Sequence, residues 1–255
     1  MADWPALERE LDAWGEAGRT ATLWWRDDDG EMPGPALDRL LALSDRYEVP
    51  LALAVVPAGA GRALAGRLEA CTRVCVLTHG LAHRNLASDG QRKSEFGPER
   101  PIHELLADVA TGWNRLRLLF VAQALPIFVP PWNRMAPALL PRLPNAGLKG
   151  LSAFGVRTAA EPVPGLAQNN CHLDLIDWRA GRGFVGEAAA LEVLVTHLAG
   201  RRQGLVDADE ASGLMSHHLV HDRAAWRFLE RLLEATQRHA AAYWLSATEA
   251  FRLAP

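Results

Sequence analysis

The sequence reads as an α/β protein, a closed barrel of parallel strands with a helix after most of them. Three observations predict this. Short runs rich in Leu, Val and Ala alternate with longer stretches of helical period along the chain. The short runs are apolar at successive positions, as strands covered on both faces are, so they pair in parallel through right-handed crossovers. Residues able to do chemistry gather at the ends of several runs. An open doubly wound sheet would collect them at one switch point behind a glycine-rich loop, and no such loop follows any run.

Taken in order, Thr22–Asp28 reads as a strand and Pro35–Arg46 as a helix bounded by Gly34 and Pro50. Val49–Val56 is a strand, Gly61–Ala70 a helix and Val74–Thr78 a strand. Ile102–Ala122 is a long amphipathic helix, apolar at Leu105, Leu106, Val109, Trp113, Leu116 and Phe120. Ile127–Val129 is a strand, Pro137–Leu143 a short helix, and Gly150–Phe154 and Leu173–Ile176 are strands. Glu187–Arg202 is a helix, Gly213–Ser216 a strand, Asp222–His239 a helix and Ala241–Leu245 a last strand. Seven or eight strands in all suit a barrel, and no linker divides residues 1–255, so one domain is expected.

The composition is that of a globular protein: 255 residues, 49% hydrophobic, 22% charged, formal charge −3. Mild acidity argues against a nucleic-acid partner, and no apolar run approaches the length of a membrane span. The start, Met1 to Glu10, has neither a basic nor an apolar leader region, so a cytoplasmic location is expected. Cys71, Cys75 and Cys171 are odd in number and lie in apolar stretches, which predicts buried thiols. Nine Trp stand against two Tyr. Trp25, Trp132 and Trp178 adjoin the polar strand ends, whereas Trp113, Trp226 and Trp244 fall on core-facing periods.

Five strand ends carry the chemistry: Arg26-Asp27-Asp28-Asp29, Thr78-His79 through His83, Pro130-Pro131-Trp132-Asn133-Arg134, Asp174-Leu175-Ile176-Asp177-Trp178 and Ser216-His217-His218. Three adjacent carboxylates on an apolar run cost several kcal/mol to desolvate unless a cation or Arg26 compensates them. A divalent metal ion meets that need; a solvated Asp28-Asp29-Gly30 turn is the plainer alternative. His79 and His83, four apart, reach one ion if the segment turns, and two imidazoles with one carboxylate leave coordination positions open for water and substrate. Alone, the pair is equally a core histidine and a surface one. His221-Asp222 reads as a helix cap, Arg201-Arg202 as cations at a helix C-terminus, and His103, His197 and His239 as surface or packing residues; His172 is ambiguous.

The ordered set of an Asp-Asp-Gly, a His-x3-His, a Pro-Pro-aromatic, an Asp-Trp and a late Met-Ser-His resembles the polysaccharide deacetylase family, the NodB-homology domain. The resemblance covers nearly the whole chain and implies an irregular (β/α)7 barrel. Matching Thr-Phe-Asp-Asp-Gly to Arg26–Gly30 implies Asp28 as general base and Asp29 as metal ligand, with Asp27 a candidate if the match slips by one. His79 and His83 match the family's two histidine ligands, Gly80 standing where a hydroxyl residue is usual. Val129-Pro130-Pro131-Trp132 occupies the place of Arg-x-Pro-Tyr, so the arginine that holds the catalytic aspartate is missing at Val129; Arg26 and Arg134 are candidate replacements. Asp174–Trp178 resembles the motif whose carboxylate tunes the catalytic histidine, with Asp177 or Asp174 in that role and Trp178 walling the pocket. Met215-Ser216-His217 makes His217 the general acid, with His218 the alternative because strand alternation turns only one of them inward. Trp132, Pro131, Trp178, Arg134 and His218 are the candidate substrate contacts.

The implied activity is metal-assisted hydrolysis of a C–N amide bond, the deacetylation of an N-acetylated sugar or related small conjugate. One divalent ion is expected, Zn first, with Co, Ni, Fe or Mn as alternatives. A small-molecule or glycan substrate is the expected partner, and a cytoplasmic location favours a soluble one over cell-wall polymer. Two other readings stay open: a non-sugar amide or cyclic imide hydrolase of the same fold, and an inactive glycan-binding barrel, raised by Val129. Ser216 has no Gly-x-Ser-x-Gly around it and needs no nucleophilic role.

Overall fold

A computed structural model describes residues 2–179 and 181–253. The first element is a helix absent from the sequence expectations, α1 (Trp4–Glu16). Asp3 caps it by accepting the Ala6 N–H, Pro5 sits in its first turn, and Trp4, Leu7, Leu11 and Trp14 form its buried stripe. β1 (Ala21–Gly30), α2 (Pro35–Arg46), β2 (Leu51–Val55), α3 (Arg62–Leu68), β3 (Val74–His79), α4 (Ile102–Leu119) and β4 (Ala124–Val129) follow close to the expected places. β5 (Gly150–Leu151), β6 (Ala167–Gln168), β7 (Leu173–Asp174) and the β8–β9 pair (Ile176–Asp177 and Gly183–Phe184) are short. α5 (Glu187–Arg202), β10 (Ser212–Ser216), α6 (Arg223–Gln237), β11 (Ala242–Trp244) and α7 (Ala247–Ala250) complete the chain. Asp222 caps α6 through the Ala225 N–H, as its place in the sequence predicts. Pro137–Ala146 is a 3₁₀ helix: Pro141 and Pro144 lack the amide donors an α-helix would need, and Gly147 ends it at φ 82°.

The strands lie in the order β6-β5-β4-β3-β2-β1-β10-β7, every neighbour parallel, with β11 added to β1. The two ends of this sheet meet. A parallel bridge links Phe154 to Cys171, with the Cys171 N–H donating to the Ala153 carbonyl at 3.0 Å and the Gly155 N–H to the Cys171 carbonyl at 2.8 Å. Because β6 and β7 belong to one stretch of chain, Ala167 to Asp174, the bridge curls the sheet around seven staves: β1, β2, β3, β4, β5, the β6–β7 stretch and β10. β8 and β9 form an antiparallel hairpin beside the ring.

Strand alternation divides the core. Trp24, Ala52, Ala54, Leu77, Ile127, Val129, Cys171 and Met215 fill the barrel interior, while Trp25, Leu23, Leu53 and Leu214 face the helices. On β1 the inner set is therefore Trp24, Arg26 and Asp28, and the outer set Trp25 and Asp27. A barrel filled with apolar side chains up to Met215 leaves its polar residues only at the strand C-termini. Among the described residues no helix is long and apolar enough to cross a membrane.

Candidate metal centre and the cavity at the strand C-termini

Two of the three consecutive aspartates reach the mouth because β1 is irregular at its end. Its register with β2 shifts between Asp27 and Gly30, and Asp29 adopts a left-handed backbone (φ 68°), so Asp28 and Asp29 share one side. Asp28 is held by Arg26 through two parallel hydrogen bonds, Nε to Oδ1 at 2.8 Å and Nη2 to Oδ2 at 2.9 Å. The guanidinium is itself fully buried and fixed by Ser152 Oγ (2.7 Å) and Asn133 Oδ1 (2.9 Å). Arg26, and not Arg134, pairs with the carboxylate that Val129 cannot reach. Arg134 instead donates to the Lys93 carbonyl at 3.0 Å and lines a neighbouring groove.

Asp29 Oδ1 lies 3.2 Å from His79 Nε2 and 3.3 Å from His83 Nε2. It is buried and has no hydrogen-bond partner. His79 Nδ1 contacts the Val129 carbonyl at 3.0 Å, which places the ring proton on Nδ1 and leaves the Nε2 lone pair facing Asp29. Asp29 Oδ1 and the Nε2 atoms of both imidazoles thus converge on one point, an arrangement a cation would satisfy; burial opposes protonation of His79, but the adjacent Asp28 and Asp29 raise its pKa. Separations of 3.2–3.3 Å also match the ligand-to-ligand edge of an ion bound at about 2.1 Å. The residues present therefore fit a divalent metal ion. Burial opposes the charge on Asp29, yet the adjacent His79 and the charges of His217 and His83 hold its pKa below the ordinary range. Burial and the neighbouring His79 lower the pKa of His83, which favours the neutral ligand form.

The turn between the two histidines needs Gly80. Its φ is +62°, and a Cβ there would collide with the Glu95 carboxylate and come within 2.5 Å of Pro131 Cγ, so the family's hydroxyl residue would not fit. Glu95, buried, accepts the Leu81 and Ala82 N–H groups at 3.1 and 2.8 Å and holds the turn that carries His83. Trp132, also left-handed (φ 54°), lays its indole on His83 with ring centroids 4.3 Å apart.

On the far side, His217 Nδ1 stands 3.6 Å from Asp174 Oδ1. Asp174 also accepts the Trp178 indole N–H at 2.7 Å, and the Trp178 ring meets His217 edge-on, centroids 4.7 Å apart. Burial opposes protonation of His217, but Asp174, Asp28 and Asp29 raise its pKa to about 9. Asp28, Asp29, His79, His83, Asp174 and His217 all line one cavity of about 510 Å³, together with Trp132 and Trp178.

Five expected residues do not reach that cavity, Arg134 in its neighbouring groove being one. Asp27 points to the outer side of β1, where its Oδ1 meets His218 Nδ1 at 2.5 Å and its Oδ2 accepts the Ser216 hydroxyl at 2.6 Å and the His218 N–H at 3.0 Å. His218 is thereby turned away, leaving His217 as the inward residue. Asp177 accepts the Arg179 N–H in the β8–β9 turn, so Asp174 is the carboxylate beside His217. Pro131 is buried against the Gly80 turn as a support, not a lining residue. Sequence reasoning also gave no role to Asn133, Ser152 and Glu95, whose contacts lie 13 to 126 residues away in the chain.

A second cluster of donor types, His172, His197 and Glu210, is buried behind the sheet at the start of β10. Here the proton accounting comes out differently. The Gly213 N–H donates to His172 Nδ1 at 3.0 Å, so the neutral ring carries its proton on Nε2, directed at Glu210 Oε2 at 3.4 Å. That nitrogen has no lone pair to offer an ion. Glu210 is already satisfied by the Arg157 and Asn170 N–H groups at 2.9 and 3.0 Å. His197 stacks on His172 (centroids 3.5 Å), and burial together with His172 and Arg201 lowers its pKa to about 3.

No model of a known protein family matches this sequence, and no curated protein matches it. Solved structures do match in fold. A Mycobacterium smegmatis protein assigned as a polysaccharide deacetylase is similar over 92% of this chain and 90% of its own, with TM-score 0.64 and 13% identity. A family 4 carbohydrate esterase from Streptomyces lividans, solved with acetate, matches over 84% and 87% with TM-score 0.55 and 12% identity. A family 4 acetyl xylan esterase from Clostridium thermocellum, solved with a cobalt ion, matches over 91% of each chain with TM-score 0.53 and 15% identity. The chain thus has the α/β barrel fold of the polysaccharide deacetylases and family 4 carbohydrate esterases.

Proposed function

We propose that this protein is a divalent-metal-dependent hydrolase of a C–N amide bond that removes the acetyl group from an N-acetylated sugar or a related small conjugate, and that residues 1–255 form one barrel domain around that site. The observation that carries this reading is the convergence, in one cavity, of the Asp29–His79–His83 set with an arginine-held Asp28 and a carboxylate-backed His217. Likeness in fold to deacetylases and esterases supports it.

Asp29, His79 and His83 would hold the ion, which when bound supplies Lewis acidity toward the amide carbonyl and lowers the pKa of water at the site. Asp28 accepts the proton of the attacking water on a carboxylate oxygen; Arg26 keeps that carboxylate aimed into the cavity. His217, protonated with the help of Asp174, gives its proton to the departing nitrogen. Trp132 and Trp178 offer faces on which a sugar ring stacks and from which water is excluded. Zn, Co, Ni, Fe and Mn all suit two imidazoles and one carboxylate.

The test is acetate release from N-acetylated sugars by the purified protein after chelation and after metal is restored. Restored turnover is expected, with Asp28→Asn and His217→Ala losing about 10²–10⁴-fold while still binding metal. A protein that binds no divalent ion, or whose Asp28→Asn variant is fully active, would falsify the proposal.

A further inference from the structure

The mouth cavity contains two cations that the hydrolytic chemistry above does not use. Lys93 comes from the segment between β3 and α4, and Arg182 from the turn of the β8–β9 hairpin; both line the cavity with Asp29 and His217. Neither takes part in an ion pair among the described residues. The three carboxylates lining the same cavity are engaged elsewhere: Asp28 with Arg26, Asp29 with the two imidazoles, Asp174 with Trp178 and His217. None of the carboxylates lining the cavity is therefore paired with either cation.

Both cations are carried on constrained backbone. Arg182 stands at φ 62° between Gly181 and Gly183, its N–H bonded to the Asp177 carbonyl at 3.0 Å. A side chain in that left-handed conformation costs about 1 kcal/mol that glycine would avoid. The Lys93 segment is fastened on both sides of its peptide, the Lys93 carbonyl accepting Arg134 Nη1 at 3.0 Å and the Ser94 N–H donating to Asn85 Oδ1 at 3.0 Å. Both side chains are exposed at the rim of the cavity, free to swing toward a ligand held between Trp132 and Trp178. A neutral acetamido sugar offers them hydroxyl acceptors but no opposite charge.

We propose that the cavity selects an anionic substrate, an N-acylated sugar that bears a phosphate or carboxylate group recognised by Lys93 and Arg182. This deepens the hydrolase reading and rests on it for the N-acyl group alone. The test is calorimetric titration of the full-length Asp28→Asn protein with N-acetylglucosamine, its 1-phosphate, its 6-phosphate and N-acetylmuramic acid. At least one anionic sugar is expected to bind about 10-fold or more tightly than the neutral sugar, and the arm that does so separates phosphate from carboxylate. Adding Lys93→Gln and Arg182→Gln should remove the preference and leave the weak affinity for neutral sugar, with an unchanged melting temperature showing that the fold is intact. Equal binding of neutral and anionic sugars, or a preference that survives the double substitution, overturns the proposal. Wild-type acetate release, assayed in parallel with metal, keeps the two readings apart. Equal kcat/KM on neutral and phosphorylated sugars sinks anion selection and leaves the hydrolase standing, whereas anion-selective binding without any acetate release does the reverse.

Discussion

The mouth and the start of β10 hold the same inventory, two histidines and one carboxylate within reach of a common point. They differ in where the protons are. At the mouth, His79 gives its proton to a backbone carbonyl, and its other nitrogen faces an acceptor with nothing between. Behind β10, a backbone amide takes one His172 nitrogen, so the proton sits on the other, facing Glu210. The mouth set presents an unpartnered carboxylate oxygen to two imidazoles and fits an ion; behind β10 the carboxylate is already held by two backbone amides, while Nε2 of His172 and of His197 have no hydrogen-bond partner. The partner of the remote imidazole nitrogen, and not the count of donors, is what favours the mouth as the metal site we propose.

The sharpest way to break this comparison is to remove one carboxylate from each cluster. Asp29→Ala is expected to abolish stoichiometric zinc binding and the associated thermal stabilisation, about 2.7 kcal/mol at a zinc concentration a hundred times Kd, while Glu210→Gln leaves both intact. Metal analysis by mass spectrometry and a melting curve with zinc read the outcome.

The same contrast extends to the buried arginines. Arg26→Leu strands Asp28 as an uncompensated charge inside the barrel and should cost about 3–5 kcal/mol in denaturant unfolding, more than Arg134→Leu, whose guanidinium meets only a carbonyl at the surface.

pH separates the clusters in opposite directions. His197 stays neutral in the folded protein down to about pH 3, whereas the unfolded side chain takes a proton near 6.5. Stability is therefore expected to fall as pH drops below 6.5, by about 2 kcal/mol at pH 5, and His197→Leu should flatten that slope. His217 has the reverse sign: its raised folded pKa favours the native state below 6.5, a contribution lost as pH rises toward about 9. If it donates the leaving-group proton, the alkaline limb of kcat/KM lies above 6.5. Asp174→Asn should move that limb down by about one pH unit, the smallest of these effects.

The strand ends that carry the site were legible in the sequence because apolar runs broken by polar residues mark a barrel's mouth. The side on which each residue lies was less so. Asp28 and Asp29 both face inward only because β1 slips register at its end, and no pattern of side chains announces a slip. His217 against His218, and Asp174 against Asp177, were alternatives that strand parity and the β8–β9 turn settle in space. Arg26 could be named as a replacement for the arginine missing at Val129 because it sits two residues from its partner, on the same face of the strand. α1 was missed because it lies outside the alternation of strands and helices, although Asp3, Pro5 and the four-residue spacing of its apolar stripe were visible. Glu95 and Ser152 left no local signal, and Asn133 lay in a polar strand end without a visible role, since each acts on a partner distant in sequence.

A crystal of the protein grown with zinc and measured at the zinc absorption edge tests the assignment most directly. One anomalous peak is expected, between Asp29 Oδ1, His79 Nε2 and His83 Nε2, and none beside His172, His197 and Glu210. An empty mouth, or a peak at the buried cluster behind β10, would contradict it.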